Sequence, residues 1–312
     1  MSAHGYVYVK GGDPHGPVVV GVDGSGTDNA AVAWAASAAA LHKLPLHLLH
    51  SNEVAAVGAV QDDPTIASSE TLDALRAQGS APRVADELVG RVRAAHPDLE
   101  IVATETAGAA SAALLAREDT ALMLVVGSGR KGGLGERVLG TTSLNTAMHA
   151  TCPVAVVNAG VDPSAPPKKR IAVGIDGSRD SAAAAEIAFA AAAARGSTVV
   201  CVSSWYLEVV DGFVVTDRDG EPWQRIEKRQ RERVEAATKV AREAHPDVDV
   251  VVEVVNGPST KVLAAQSEQS DVLVLGSRGR GGFTGKLLGS VSQKVLQAAR
   301  CPVVIVKANE QG

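Results

Sequence analysis

VVVGVDGS at residues 18–25 returns as IAVGIDGS at residues 171–178, and this recurrence decides how the whole chain is read. Three further blocks repeat in the same order. AAHPDLEIV (94–102) returns as EAHPDVDVV (243–251), LVVGSGRKGGLGERVLGT (124–141) as LVLGSRGRGGFTGKLLGS (273–290), and TCPVAVV (151–157) as RCPVVIV (300–306). The first block recurs 153 residues on and the other three 149, so the halves differ in length by four residues between the first and second blocks, where a loop is expected. Self-similarity at one fixed order means two copies of one structural unit.

Within each half, short β-branched runs alternate with longer Ala-rich segments of helical spacing, the pattern of βαβ units around a parallel sheet. In the second half the runs are 171–175, 198–203, 248–254, 272–275 and 303–306. They are apolar almost throughout, as strands covered by helices on both faces must be, and the Ala-rich segment 181–194 is a natural cover. The fold class is therefore α/β: two tandem, doubly wound, five-stranded parallel sheets. The expected domains are 17–158 and 170–308. A loose tail over 1–16 precedes them, and the Pro-rich linker 159–169 joins them.

A chain of 312 residues with 46% hydrophobic composition can bury two cores. The formal net charge of -5 and the lack of basic runs argue against nucleic acid or an anionic membrane as partner. Residues 1–16 lack the apolar centre of a signal peptide, and no hydrophobic run approaches a membrane span. Cys152, Cys201 and Cys301 show no metal-ligand spacing and sit beside Val-rich runs, so they read as buried small hydrophobes of a reducing, cytoplasmic protein.

Two features suggest a ligand. Asp176, and Asp23 in the first half, close the opening strand and precede Gly-Ser and a helix. In an open parallel sheet that edge is where ligands bind, although Asp-Gly-Ser is equally good turn and N-cap chemistry. The second feature is the loop GSRGRGGFTGKLLGS (276–290), which leaves a strand, is glycine-rich and enters a helix. Glycines allow close backbone approach, and successive amides before a helix N-terminus form an anion nest. A Walker A reading fails, because Arg280 stands where the first glycine belongs and Leu287 where the metal-binding hydroxyl belongs. The G-x-G-x-x-G match at 127–132 follows the wrong strand, and its counterpart in the second half does not share it.

The loop fits a different spacing: Gly276 and Gly279, then nine residues, then Gly289-Ser290. With an Asp closing the first strand and Cys-Pro-Val opening the last, it resembles the tandem, mycobacterial-like, ATP-binding branch of the universal stress protein family, whose fold is adenine nucleotide alpha hydrolase-like. The resemblance covers nearly all of both halves. It implies ATP as ligand, with Mg as a companion for which no protein ligands stand out. It implies that Asp176 faces adenine, that the backbone from Leu275 through Gly276 to Arg278 lines ribose and phosphates, and that Gly279, Gly289, Ser290 and Val291 hold phosphates. In the first half the corresponding residues are Asp23, Val126, Gly127, Gly129, Arg130, Gly140, Thr141 and Thr142. Ser204 falls near the adenine-flanking position. The resemblance also implies pairing of the halves through their last strands, 154–157 against 303–306, which are short, apolar and otherwise open edges. One chain would then mimic a dimer and could pair again with a second chain.

No nucleophile with a base, paired carboxylates or metal cluster has recognisable spacing, and His96 and His245 read as surface-turn residues. A nucleotide-dependent stress sensor acting on an unidentified protein partner is therefore expected rather than an enzyme. A slow ATPase or transferase and a ligand-free scaffold are the alternatives. Two expectations concern glycine. Gly279 is expected in left-handed geometry, so that a side chain there would be strained. Arg130 replaces the matching glycine in the first half, so the first site should bind ATP more weakly or in an altered pose.

Overall fold

The computed structural model of the chain describes residues 12–24, 29–52, 84–129, 139–206, 209–210, 213–214, 217–279 and 288–308. The first half runs β1 (Val18–Val22), α1 (Asn29–His42), β2 (Leu46–Asn52), α2 (Val84–Ala95), β3 (Ile101–Ala107), α3 (Ala110–Leu115), β4 (Met123–Gly127), α4 (Thr141–His149) and β5 (Val154–Val157). The second repeats it as β6 (Arg170–Gly174), α5 (Arg179–Arg195), β7 (Thr198–Trp205), α6 (Glu221–Ala244), β10 (Val250–Asn256), α7 (Ser259–Gln269), β11 (Val272–Gly276), α8 (Ser290–Ala298) and β12 (Val303–Val306). A small hairpin, β8 (Val209–Val210) and β9 (Phe213–Val214), is inserted between β7 and α6.

All strands but that hairpin form one ten-stranded sheet, ordered β10-β7-β6-β11-β12-β5-β4-β1-β2-β3. Each half is parallel and doubly wound, with its order reversing between its first and fourth strands. The halves join where the sequence points, through an antiparallel β12–β5 pair with Val303 opposite Val156 and Ile305 opposite Val154. Both strands are buried along their whole length. An antiparallel seam turns the strand carboxyl ends of the two halves in opposite directions, toward opposite ends of the shared sheet.

The helices follow from composition and caps. α5 begins where the Ser178 side chain accepts a hydrogen bond from the Ser181 amide, and it ends at Gly196 in the left-handed region, φ 59°. Its buried face is Ala184, Ala185, Ala188, Phe189 and Ala192, small enough to let the helix lie close on the strands. Burying Phe189 alone contributes about 2–3 kcal/mol. The three cysteines are buried, and burial pushes each thiol up to about 12.

Three expectations change. The tail is held from Asp13 onward: its amide donates to the Ala121 carbonyl at 3.0 Å, and the Leu122 amide donates to the Pro17 carbonyl. The third strand of the second half starts at Val250 rather than residue 248, because the Val248 amide is turned back onto the His245 carbonyl. His245 is not a free surface ring, since its Nε2 is shielded from solvent and lacks a hydrogen-bond partner. The first-block register persists through the second strands, where Gly21 opposes Leu49 and Gly174 opposes Val202. The length difference therefore falls after β2, in a stretch largely outside the described residues.

Candidate functional site

Asp176 follows Ile175, whose amide continues the ladder by donating to the Val202 carbonyl at 2.8 Å. One carboxylate oxygen, Oδ1, accepts from the Ser178 amide at 2.9 Å, and Gly177 between them turns at φ +83°. The turn reading of Asp-Gly-Ser is thus realised. The other, Oδ2, lies 2.6 Å from where a Cβ on Gly279 would stand, so the turn after β6 and the loop after β11 touch at the strand-order reversal.

Gly279 is needed for this approach and not for its dihedral angle. It is absent from the left-handed residues, which corrects the expected geometry: the constraint is steric contact with Asp176. Gly276 is constrained more severely, because a Cβ there would stand 2.8 Å from the backbone carbon and Cβ of Asp180. Gly289 caps α8 without any side-chain hydrogen bond. Its own amide donates to the Ser277 carbonyl at 2.7 Å, which ties the helix start to the loop. Leu275 is buried beneath this junction.

Arg278 behaves differently from the expected phosphate-side backbone residue. Its amide donates to Asp180 Oδ2 at 3.0 Å, and its Nε lies 3.7 Å from the same oxygen. Asp180 is 5% exposed, and it also accepts from Ser277 Oγ at 2.8 Å and from the Ala308 amide at 3.0 Å. This carboxylate joins the start of α5, the loop after β11 and the end of β12. Ser204 lies two residues beyond the Gly174–Val202 pair, at the height of Asp176, and its Oγ donates to Ser259 Oγ at 2.8 Å.

In the first half, Asp23, Val126, Gly127, Gly129, Gly140, Thr141 and Thr142 line one cavity of about 190 Å³. Gly21, Val22, Leu49, Ser51, Ala110, Leu114 and Ser143 complete its wall. The cavity is apolar toward β2 and α3, and it ends at the uncapped N-terminus of α4. Gly24 repeats the turn of Gly177 at φ +72°. The Gly140 amide donates to the Ser128 carbonyl at 2.8 Å, matching Gly289 and Ser277. Gly129 occupies the position of Arg278 and is left-handed at φ +97°, so the two loops part in backbone geometry there. Arg130 and residues 280–287 lie outside the described residues.

Sequence reasoning missed Asp180, the side-chain contact of Ser277 with it, Ser128, and the serines Ser143 and Ser292. The last two donate to the strand-end carbonyls of Gly127 and Gly276, the latter at 2.8 Å. The repeat itself held a signal for them, since GTTS and GSVS place both serines at the same step after the capping glycine. Among the described residues, no three His, Cys, Asp or Glu side chains gather as a metal site.

Two doubly wound α/β units sharing one sheet, with a glycine-lined cavity at the strand-order reversal of the first, define a tandem α/β protein. The chain belongs to the universal stress protein family, whose family model matches residues 15–158 and 168–307. It is 33% identical over 299 residues to universal stress protein Rv2005c of Mycobacterium tuberculosis, covering 94% of this chain and 97% of that protein. It is also 33% identical over 298 residues to universal stress protein Rv2623 of the same organism, covering 93% and 96%. A universal stress protein from Archaeoglobus fulgidus has the same fold, with a TM-score of 0.60 over 96% of this chain and 98% of that one at 16% identity.

Proposed function

We propose that this protein binds ATP at the two strand-order reversals and acts as a nucleotide-dependent sensor in a cytoplasmic stress response. The contact between Asp176 and Gly279 carries the reading. A carboxylate with one oxygen turned to its own loop and the other against a glycine-lined junction is placed to recognise the amino edge of a purine. The uncapped starts of α8 and α4 are suited to phosphate, because backbone N–H groups and the helix dipole act there together. In this reading Leu275, Gly276 and Arg278 line the ribose side, and Gly279, Gly289, Ser290 and Val291 hold the phosphates. Val126, Gly127, Gly129, Arg130, Gly140, Thr141 and Thr142 do the same beside Asp23. Any Mg would arrive with the phosphates, and turnover of ATP would be slow or incidental.

The fit of the residues to this ligand rests on what a side chain would obstruct. The loop approaches Asp176 within 2.6 Å of a Cβ position that only glycine leaves empty. Nucleotide released from the denatured protein, identified by absorbance and mass, tests the reading. Adenine nucleotide at up to two per chain is expected. A chain that carries none and takes up none at millimolar ATP is an interaction scaffold instead.

A further inference from the structure

The residue after each half's last strand reaches across the seam to the other half's last helix. Lys307 Nζ donates to the Met148 carbonyl at 2.7 Å, near the carboxyl end of α4. In the matching position of the repeat, Asn158 Nδ2 donates to the Ala299 carbonyl at 2.9 Å, at the carboxyl end of α8. Asn158 is buried, and its Oδ1 has no hydrogen-bond partner, so the residue is kept at the seam with half its amide unsatisfied.

These contacts close a ring. From Lys307 the path enters α4 at Met148 and leaves at Gly140, whose amide donates to the Ser128 carbonyl. The Ser128 amide donates to the Val157 carbonyl, beside Asn158, which reaches α8. From Gly289 at the start of α8 the path runs to Ser277, whose amide donates to the Val306 carbonyl at 2.7 Å, beside Lys307. Both candidate phosphate-binding turns, Gly140-Thr141 and Gly289-Ser290, are members of this one circuit. In the second half Asp180 adds a brace, linking Ser277, Arg278 and Ala308.

We propose that the two sites are energetically coupled across the β5–β12 seam, with Lys307 and Asn158 as the positioning residues that carry the coupling. The proposal rests on ATP binding at both sites. Filling the second site fixes Ser277 and Arg278 and, through Val306 and Ala308, the backbone that aims Lys307. A cation held at the carboxyl end of α4 is favourable to the helix dipole and fixes the helix whose other end faces the first site. The effect is positive and, by linkage, equal in both directions. It depends on two discrete hydrogen-bonded ends and requires no change of fold.

The test is a cycle on the full chain stripped of nucleotide: natural sequence, Gly279→Val, Lys307→Met and the pair, each titrated with ATP by calorimetry. With Lys307 present, closing the second site by Gly279→Val should weaken first-site binding by roughly threefold, the size of a cation–helix-end effect. In the Lys307→Met background that change should vanish, while Lys307→Arg should restore it, which a merely structural loss would not do. If Lys307→Met does not fold, Asn158→Ala interrupts the same ring from the other side and should abolish the same difference. First-site affinity indifferent to Gly279→Val, or a difference that survives loss of the Lys307 or Asn158 contact, overturns the coupling and leaves the binding reading intact. ATP binding at one site alone overturns the coupling, and absence of binding at both overturns the binding reading as well.

Discussion

At the turn after the fourth strand the two halves carry the same two residues in opposite order, Gly129-Arg130 in the first and Arg278-Gly279 in the second. In the second half the glycine faces Asp176, and the arginine is held by the buried carboxylate of Asp180. In the first half the glycine comes one step earlier, in the left-handed region, and the position matching Asp180 is Thr27. Loops of one composition thus set their glycine differently against the neighbouring turn. Composition alone does not set the quality of such a site; register does.

The largest effect separating the halves should come from Asp180→Ala. Removing a buried acceptor leaves Ser277 Oγ and the amides of Arg278 and Ala308 without their partner, at about 1–3 kcal/mol for each group that water does not reach. Denaturant unfolding should show a loss of about 3 kcal/mol, and a loss below about 1 kcal/mol would mean that the brace is solvated.

Gly279→Val comes next. Its Cβ would collide with Asp176 Oδ2, so second-site ATP affinity should fall about tenfold or more, equivalent to about 1.4 kcal/mol. Asp176→Ala should cost less, because it removes a partner without filling the cleft. Unchanged affinity in a folded Gly279→Val protein, measured by calorimetry, would remove the loop from the site.

The smallest difference lies in pH response. His47 in β2 is 7% exposed, and its Nε2 sits 2.7 Å from Thr104 Oγ1. Burial, and then the nearby Arg117 charge, hold its pKa below 6.5. The unfolded chain takes up the proton first, so the stability is present above the unfolded pKa and is lost as pH falls below it. His42, lowered by burial and by Arg195, acts in the same direction. The residue that matches His47 in the second half is Val200, which does not titrate. Unfolding free energy should therefore decrease from pH 7 to 5.5, and His47→Gln should flatten part of that slope. An identical slope in the variant would assign the effect elsewhere.

The repeat made the sheet legible. VVVGVDGS and IAVGIDGS locate the first strands, and the all-apolar runs at 154–157 and 303–306 locate the seam, because a buried strand must be apolar on both faces. The meeting of Asp176 with Gly279 was legible only as a pattern, and its cause was misassigned. Glycine spacing does not distinguish a positive φ from a missing Cβ, and the structure shows the second. Asp180 was hidden for a related reason: an acidic residue in the first turn of a helix is ordinary capping chemistry, and only tertiary contact brings Ser277, Arg278 and Ala308 onto it. The seam contacts of Lys307 and Asn158 likewise depend on an antiparallel pairing whose register no local pattern encodes.

Titration of the full, nucleotide-free chain with ATP, beside the same chain carrying Arg130→Gly, addresses the two unequal sites most directly. Two binding events of different affinity are expected, the tighter belonging to the second half and the weaker strengthened by Arg130→Gly. No binding, or two equal sites that the substitution leaves unchanged, would contradict it.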